Sequence, residues 1–266
     1  MAAMTLLLGK ILVSVCVVLG LSWVAENVST RVAGMISGMP LGAVLVLFFV
    51  GRDLGPEFAR QTAIGAVPSI LATVAFALGY FFGSGVRSRI SPVISAAFGL
   101  CAYLVVATGL DALEPGRVAG FCLSLGAVIA VGLALHSLES NRIAVRVRMT
   151  WPRLVFRAGT AAAFVVAITS VAHLVGPRWS GLLIGFPMTF LPFLLIIHVA
   201  YSADHVRTII RNFPVGLSSL LVFLVAVGQA IPAMGVNLSI VVSLAVALAY
   251  LAVLGKALGR PAPLRP

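Results

Sequence analysis

The sequence predicts an all-α, polytopic membrane protein of about nine transmembrane helices that form two inverted-topology repeats. Three observations predict this class: an apolar composition, a series of apolar stretches of membrane length, and one motif, Arg-x-x-Gly-x-x-x-Gly-x-Pro, that occurs twice. Of the 266 residues, 61% are hydrophobic and only 9% are charged. A soluble domain of this size has no interior large enough for so much apolar surface, so the bilayer is expected to solvate most of the chain.

The helix count rests on runs of about 20 mostly apolar residues, the length that crosses a bilayer. Two stretches, 4–25 and 154–177, qualify if Lys10 and Arg157 lie near an interface and extend their charged ends into water. The first of them is expected to be retained rather than cleaved as a signal peptide. Seven further stretches qualify directly: 32–51, 61–82, 90–110, 118–138, 179–203, 212–232 and 233–255.

The basic residues predict the orientation. There are 18 Lys and Arg against 7 Asp and Glu, and they concentrate in segment 139–153, around Arg87 and Arg89, and in the tail after Lys256. Such residues mark the cytoplasmic side of membrane proteins, and all three regions fall on one side of a nine-helix chain. We therefore expect the N-terminus outside and the C-terminus in the cytoplasm. Without a basic run that alternates with aromatic residues, no nucleic-acid partner is expected.

An internal repeat relates the two halves by a shift of 147 residues, the separation of Arg31 and Arg178. Each copy contains three helices, the first to third and the sixth to eighth. Because matching helices are five apart, an odd number, the copies must cross the membrane in opposite directions, as in many secondary transporters. Other pairs that this shift superimposes are Gly34/Gly181, Gly38/Gly185, Pro40/Pro187, Arg60/Arg207, Lys10/Arg157 and Glu57/Asp204.

The repeat predicts the domain organisation. Residues 1–138 form the first repeat with helices one to five, 139–153 a basic cytoplasmic linker, and 154–266 the second repeat with helices six to nine. The ninth helix matches the fourth, and the fifth has no predicted partner.

Pro40 and Pro187 predict a break in the helix that contains each of them. Proline removes a backbone hydrogen bond and clashes with the preceding turn. Inside a bilayer, the freed carbonyl groups must face protein or a water-filled cavity. The two breaks could then meet in one central site, where half-helix N-termini favour an anionic group. The glycines of the motif are equally typical of close helix packing alone.

Candidate site residues follow from this motif and from ionisable groups in apolar sequence, which are costly in lipid. Lys10 and Arg157 are also explained by interfacial location, Glu26 by pairing with Arg31, and the histidines by ordinary core packing. The mixed charges of 52–60 and 204–211 are compatible with solvated, salt-bridged turns or with gates, and we favour the turns. The predicted substrate-binding residues are Arg31, Gly38, Pro40, Arg178, Gly185 and Pro187. The predicted coupling or gating residues are Lys10, Glu26, Arg157, His173 and His198.

The sequence contains no signature of an enzyme. We find no Gly-x-Ser-x-Gly elbow, no His-Glu-x-x-His, no phosphate-binding loop and no dense aspartate cluster. The three cysteines, Cys16, Cys101 and Cys122, have no ligand spacing. We therefore predict no catalytic residues, no metal and no cofactor.

Segment 180–187, Ser-Gly-Leu-Leu-Ile-Gly-Phe-Pro, is followed by an apolar run, His198, Arg207 and a further apolar helix. This pattern resembles the GlpM family of small bacterial inner-membrane proteins. The first copy, 33–40, lacks the Phe before Pro and a match for His198. The resemblance covers helices 2–3 and 7–8 and implies a tandem, inverted pair of such units in a bacterial inner membrane. A looser likeness is to drug/metabolite-type transporters.

These observations predict a transporter or flippase that moves a small anionic solute or lipid-linked group by alternating access. Arginine suits such a substrate because its planar guanidinium donates two parallel hydrogen bonds to phosphate or carboxylate. The expected partners are the lipid bilayer, this substrate and a second copy of the chain. Two alternatives remain open: a non-transporting scaffold subunit of an envelope-biosynthesis complex, and a lipid-modifying membrane enzyme.

Overall fold

The computed structural model describes residues 30–86, 88–136 and 150–257. Within these ranges every regular element is an α-helix, which confirms the all-α prediction, and six helical stretches are long and apolar enough to cross a membrane. The predicted helix 4–25, Lys10 and Glu26 lie outside the described residues. In chain order the helices are α1 Thr30–Ser37, α2 Leu41–Leu54, α3 Pro56–Gly83, α4 Ser91–Leu113, α5 Arg117–His136, α6 Trp151–Ile184, α7 Phe190–Ala200 and α8 Ala203–Ala257.

Two glycines divide the longest helices. A straight helix of the 55 residues of α8 would extend roughly 80 Å, far beyond the ~30 Å hydrocarbon core of a bilayer. Gly235 interrupts it with φ 70° and ψ 173°, and Gly176 interrupts α6 with φ 76° and ψ 172°. A side chain is strained at these angles, so glycine is the residue that suits both positions. Both interruptions fall close to helix boundaries predicted from sequence.

The prolines of the repeated motif interrupt their helices as the sequence predicts. The apolar stretch 32–51 is divided into α1 and α2, with Pro40 immediately before α2. The matching stretch in the second half is divided between the end of α6 at Ile184 and the start of α7 at Phe190, with Pro187 between them.

The connection within 52–60 is shorter than predicted, since a single residue, Gly55, separates α2 from α3. The prediction of a turn over 204–211 is wrong, because α8 already begins at Ala203. The charged residues of both segments lie at helix ends. Arg60 forms a salt bridge with Glu57, one turn earlier in α3.

Helix α3 forms the centre of the bundle and contacts α2, α4, α5, α6 and α8. Of its most apolar stretch, 56% is buried, against 22% for α5, whose outward side chains therefore face the lipid. In the core, the rings of Phe190 and Phe213 stack with centroids 3.9 Å apart. This contact joins α7 to α8 beside the proline break of the second half.

We predict that Gly235→Ala destabilises the protein by about 1–3 kcal/mol, because alanine is strained at its positive φ. The matched control is Gly126→Ala in α5, where a Cβ would have no close neighbour and φ is not positive. This control should increase stability by about 0.5–1 kcal/mol, since alanine favours helix. Urea unfolding in detergent micelles measures both. Equal effects of the two substitutions would contradict the assignment of a break at Gly235.

Candidate functional site

The backbones of the two proline breaks share three hydrogen bonds at matching positions. In the first break Met39 N donates to Ile36 O at 3.1 Å, and in the second Phe186 N donates to Leu183 O at 3.1 Å. Each donor and acceptor is displaced by the repeat shift of 147 residues. Two further bonds of the first break have counterparts in the second at the same shift. Leu41 N donates to Met39 O at 2.8 Å, and its counterpart is Met188 N to Phe186 O at 2.7 Å. Val44 N donates to Pro40 O at 2.8 Å, and its counterpart is Leu191 N to Pro187 O at 2.8 Å.

Each broken helix packs against a long helix of the other half. Gly34 lies against the backbone of Ile209 on α8, and Gly181 lies against the backbone of Thr62 on α3. Thr62 and Ile209 are themselves related by the repeat shift, so the contact made by one half is repeated by the other. The same reciprocity holds for Gly38 against Gly216 and Gly185 against Ser69.

A small cavity of about 40 Å³ lies where the two breaks meet. Gly38, Pro40, Gly185 and Pro187, four of the predicted substrate-binding residues, all line it. A volume of this size holds no more than a few water molecules. The centre of the bundle is therefore closed to a solute in this conformation.

Side-chain hydroxyls bond to the carbonyl groups of the second break. Thr73 Oγ1 donates to Gly185 O at 2.6 Å, and Tyr103 OH donates to Leu182 O at 2.5 Å. Both side chains are buried. The residue that matches Thr73 in the second half of the sequence is Leu220, which has no hydroxyl. Sequence reasoning missed Thr73 and Tyr103, although a hydroxyl in an otherwise apolar helix is a usable signal.

A larger cavity of about 540 Å³ lies at the end of the bundle where α4 meets α5. Its walls are formed by α3, the α4–α5 turn, the part of α6 after Gly176, and α8. Most of the lining is apolar, including Ile64, Val67, Pro68, Phe121, Leu182 and Leu224. The polar residues that line it are Gln61, Glu114, Arg117, Arg178 and Gln229.

Arg178 lies at this larger cavity and is paired with protein groups. Its Nε lies 3.1 Å from Asp111 Oδ1, and its Nη1 donates to the carboxylate of Glu114. Its Nη2 donates to the backbone carbonyl groups of Leu110, at 3.1 Å, and Asp111. Arg178 thus joins the end of α4 to the broken helix of the second half, and it lies away from the residues that line the small cavity.

The opposite end of the bundle is held together by polar contacts. Arg207 at the start of α8 donates through Nε to Ser84 Oγ at 3.0 Å, and its guanidinium lies 5.5 Å from the centroid of the Phe81 ring. The buried ring of His198 lies between two hydroxyls, with Nδ1 3.3 Å from the Tyr80 oxygen and Nε2 3.4 Å from Ser91 Oγ. These contacts tie α7 and α8 to the end of α3 and the start of α4.

The remaining predicted residues lie apart from both cavities or outside the described structure. His173 is exposed on α6. Arg31 is in α1 and Arg157 in α6, and their side chains are outside the described part of the structure. The structure therefore brings together the glycines and prolines of the motif, and it places Arg178 and His198 at opposite ends of the bundle.

Comparison with models of known protein families, with curated proteins and with solved structures finds no match. The resemblance to the GlpM family stays a prediction. Over residues 30–86, 88–136 and 150–257, no group of three or more His, Cys, Asp or Glu side chains has the arrangement of a metal site.

We predict that Thr73→Val destabilises the protein by about 1–3 kcal/mol, because the carbonyl of Gly185 loses its buried hydroxyl donor. The matched control is Thr108→Val in α4, whose exposed hydroxyl bonds only to carbonyls of its own helix. The control should change stability by less than about 0.5 kcal/mol. Thermal unfolding in detergent compares the two, and similar losses would show that the hydroxyl of Thr73 does not stabilise the break.

We also predict that Gly38→Leu strongly reduces the yield of folded protein. A Cβ at this position would lie 2.5 Å from the backbone nitrogen of Leu217, so the broken helix would have to move away from α8. Gly109→Leu in α4 is the control, since a Cβ there has no close neighbour. Size-exclusion profiles of the purified variants check this, and a normal monodisperse peak for Gly38→Leu would contradict the close packing.

Proposed function

We propose that this protein is a transporter or flippase of a bacterial inner membrane, and that it moves a small anionic solute or lipid-linked group by alternating access between two inverted repeats. The observation that carries the proposal is the meeting of two broken helices, each packed on the other half through matching contacts. Broken helices that meet near the midplane are the usual site of secondary transporters with inverted repeats.

Reciprocal contacts support a two-fold relation between the halves. When residue i of one unit contacts residue j of the other and their counterparts make the same contact, a two-fold axis relates the units. The direction of α3 and α8, which match in the repeat, supports an axis in the membrane plane. The side chain of Arg207, near the start of α8, bonds to Ser84 just after the end of α3, while Ile64 near the start of α3 lies beside Gly228 further along α8. The matching helices therefore run antiparallel.

The helix count of nine belongs to this proposal. Each broken helix crosses the membrane once: α1 with α2, and the part of α6 after Gly176 with α7. The part of α6 before Gly176 adds one crossing, and the two parts of α8 on either side of Gly235 add two. Together with α3, α4 and α5, these segments give eight crossings in the described residues. The predicted helix 4–25 would be the ninth.

The contrast between the two ends of the bundle supports alternating access. The centre is closed, the end that contains Arg207 and His198 is tied by polar contacts, and the end that contains Arg178 has the cavity of about 540 Å³. Arg89 and Lys256 lie at the tied end. Because basic residues mark the cytoplasmic side, we assign the tied end to the cytoplasm and the structure to an outward-open state.

The two helices that begin at the centre of the bundle favour an anionic substrate. Helices α2 and α7 both begin there, at Leu41 and Phe190, directly after their prolines. The N-terminus of a helix has a partial positive charge, which favours an anion. Opening of the small cavity would expose the two ends to a passing phosphate or carboxylate group.

Flux in proteoliposomes tests the proposal. The panel is a set of radiolabelled organic carboxylates and phosphates, together with a fluorescent lipid phosphate whose transfer between leaflets is followed by quenching. We expect Pro40→Ala and Pro187→Ala each to reduce flux by about tenfold or more, on the order of 1.4 kcal/mol in the limiting barrier. Restored helix across the break would prevent the conformational change.

The control is Pro92→Ala at the first turn of α4, where proline occupies an ordinary helix-start position. Its flux should equal that of the wild type. Absence of flux for the whole panel with folded protein would contradict transport, and co-purification of a stoichiometric partner in that case would support the scaffold alternative. Equal flux in all three proline variants would contradict the role of the breaks.

A further inference from the structure

We propose that the cavity of about 540 Å³ binds an amphipathic organic anion, with one carboxylate or phosphate head and an apolar body, and that Arg117 contacts the head group. The inference rests on the proposed function, because it names the class of substrate. It differs from the sequence prediction in both the place of the site and the arginine that recognises the substrate.

The chemistry of the walls selects an amphipathic ligand. The volume lies within the range of about 300–1,000 Å³ that is usual for sites of drug-sized molecules, which are mostly apolar with a few polar groups. Ile64, Phe121 and Leu182 are among the apolar wall residues. A small hydrated ion such as inorganic phosphate would leave these walls in contact with water. An apolar body covers them and recovers the free energy of burial.

Of the two arginines that line the cavity, Arg117 is the one whose guanidinium is not already bonded to a group in the described part of the protein, so we assign the head-group contact to it. Arg178 already bonds to Asp111, Glu114 and two backbone carbonyls, so its donors are occupied. Arg117 also lines the cavity and is exposed; it attracts the carboxylate of Glu57 at longer range, but it makes no hydrogen bond or ion pair with any other residue that the structure describes. Its guanidinium is therefore available for a charge-assisted, two-point bond with an anion.

The location of Arg117 adds to this electrostatic preference. Arg117 is the first residue of α5, a helix of 20 residues without an acidic residue in its first turn. The partial positive charge of the helix N-terminus therefore adds to that of the side chain. The amide side chains of Gln61 and Gln229 line the same cavity and provide uncharged donors.

Arg178 acts in this site as a positioning residue. Its bonds to Asp111 and Glu114 hold the end of α4 against the broken helix, and Arg117 follows only three residues after Glu114. Loss of these bonds would release the turn and displace Arg117. Arg178→Gln should therefore weaken binding and also increase the motion of the α4–α5 turn. Arg117→Gln should weaken binding and leave this turn in place.

Equilibrium binding to the full chain in phosphatidylcholine nanodiscs tests the proposal. The probes are 2-naphthoate, a dissolved aromatic anion, and dodecyl phosphate, a lipid-like anion, with inorganic phosphate and dodecanol as references. Isothermal titration calorimetry, corrected with empty nanodiscs, gives the dissociation constants. We expect at least one of the two amphipathic anions to bind about tenfold or more tightly than both references, since each reference lacks either the apolar body or the charge.

Three variants of similar exposure complete the test. Arg117→Gln should weaken binding of the anion by about tenfold or more, and Arg117→Lys by a smaller factor because it keeps the charge but loses the planar fork. Arg89→Gln, an exposed arginine at the other end of the bundle, should bind like the wild type. Equal melting temperatures of the variants confirm that they fold.

The outcomes separate the sources and the two proposals. Tighter binding of dodecyl phosphate assigns a membrane lipid, and tighter binding of 2-naphthoate assigns a dissolved anion. Failure of both probes to bind above the references, or undiminished binding in Arg117→Gln, overturns the inference even where flux occurs. Binding that depends on Arg117 in a protein without flux supports the site and counts against transport instead.

Discussion

The constraint on which the rest of the structure depends is that backbone polar groups in a membrane must find partners inside the protein. At each of the two proline breaks, such groups lack their usual partner within the helix. The breaks therefore cannot face lipid, and they meet at the centre of the bundle, where Thr73 and Tyr103 donate hydroxyls to the carbonyls of Gly185 and Leu182. To bring two broken helices so close, their backbones must touch the long helices of the opposite half. Glycine permits this approach, and α3 and α8 become the inner helices as a result.

The two proline breaks share backbone hydrogen bonds, but side chains at positions that match in the sequence repeat differ. Thr73 corresponds to Leu220, and His198 corresponds to Gly51. At the latter pair, the second half forms a polar contact with Tyr80, whereas Gly51 packs against the apolar side chain of Val236. A similar backbone therefore has different polar contacts at its two ends.

The features that sequence reasoning found are those governed by local rules. Proline and glycine fix backbone geometry within one turn, so the breaks at Pro40 and Pro187 followed from their positions alone. Apolar length predicted α3, α4 and α5 in the same way. The position of Arg178 depended instead on Asp111 and Glu114, which lie far away in sequence and have no periodic relation to it. Arg117 was missed for the same reason, since its lack of a hydrogen-bond or ion-pair partner among the described residues is visible only once the cavity has been assembled.

The matching glycine contacts also limit where a conformational change can occur. Gly34 and Gly181 make matching contacts with α8 and α3. An exchange between two symmetry-related conformations would therefore leave these glycine contacts unchanged. The contacts that differ between the ends must change instead. On the proposed mechanism, these include the bond of Arg207 to Ser84 at the closed end. The glycine interface would then serve as the pivot and the Arg207 contact as the closure of that end, so that a substrate bound near Arg117 passes the prolines only when this closure opens.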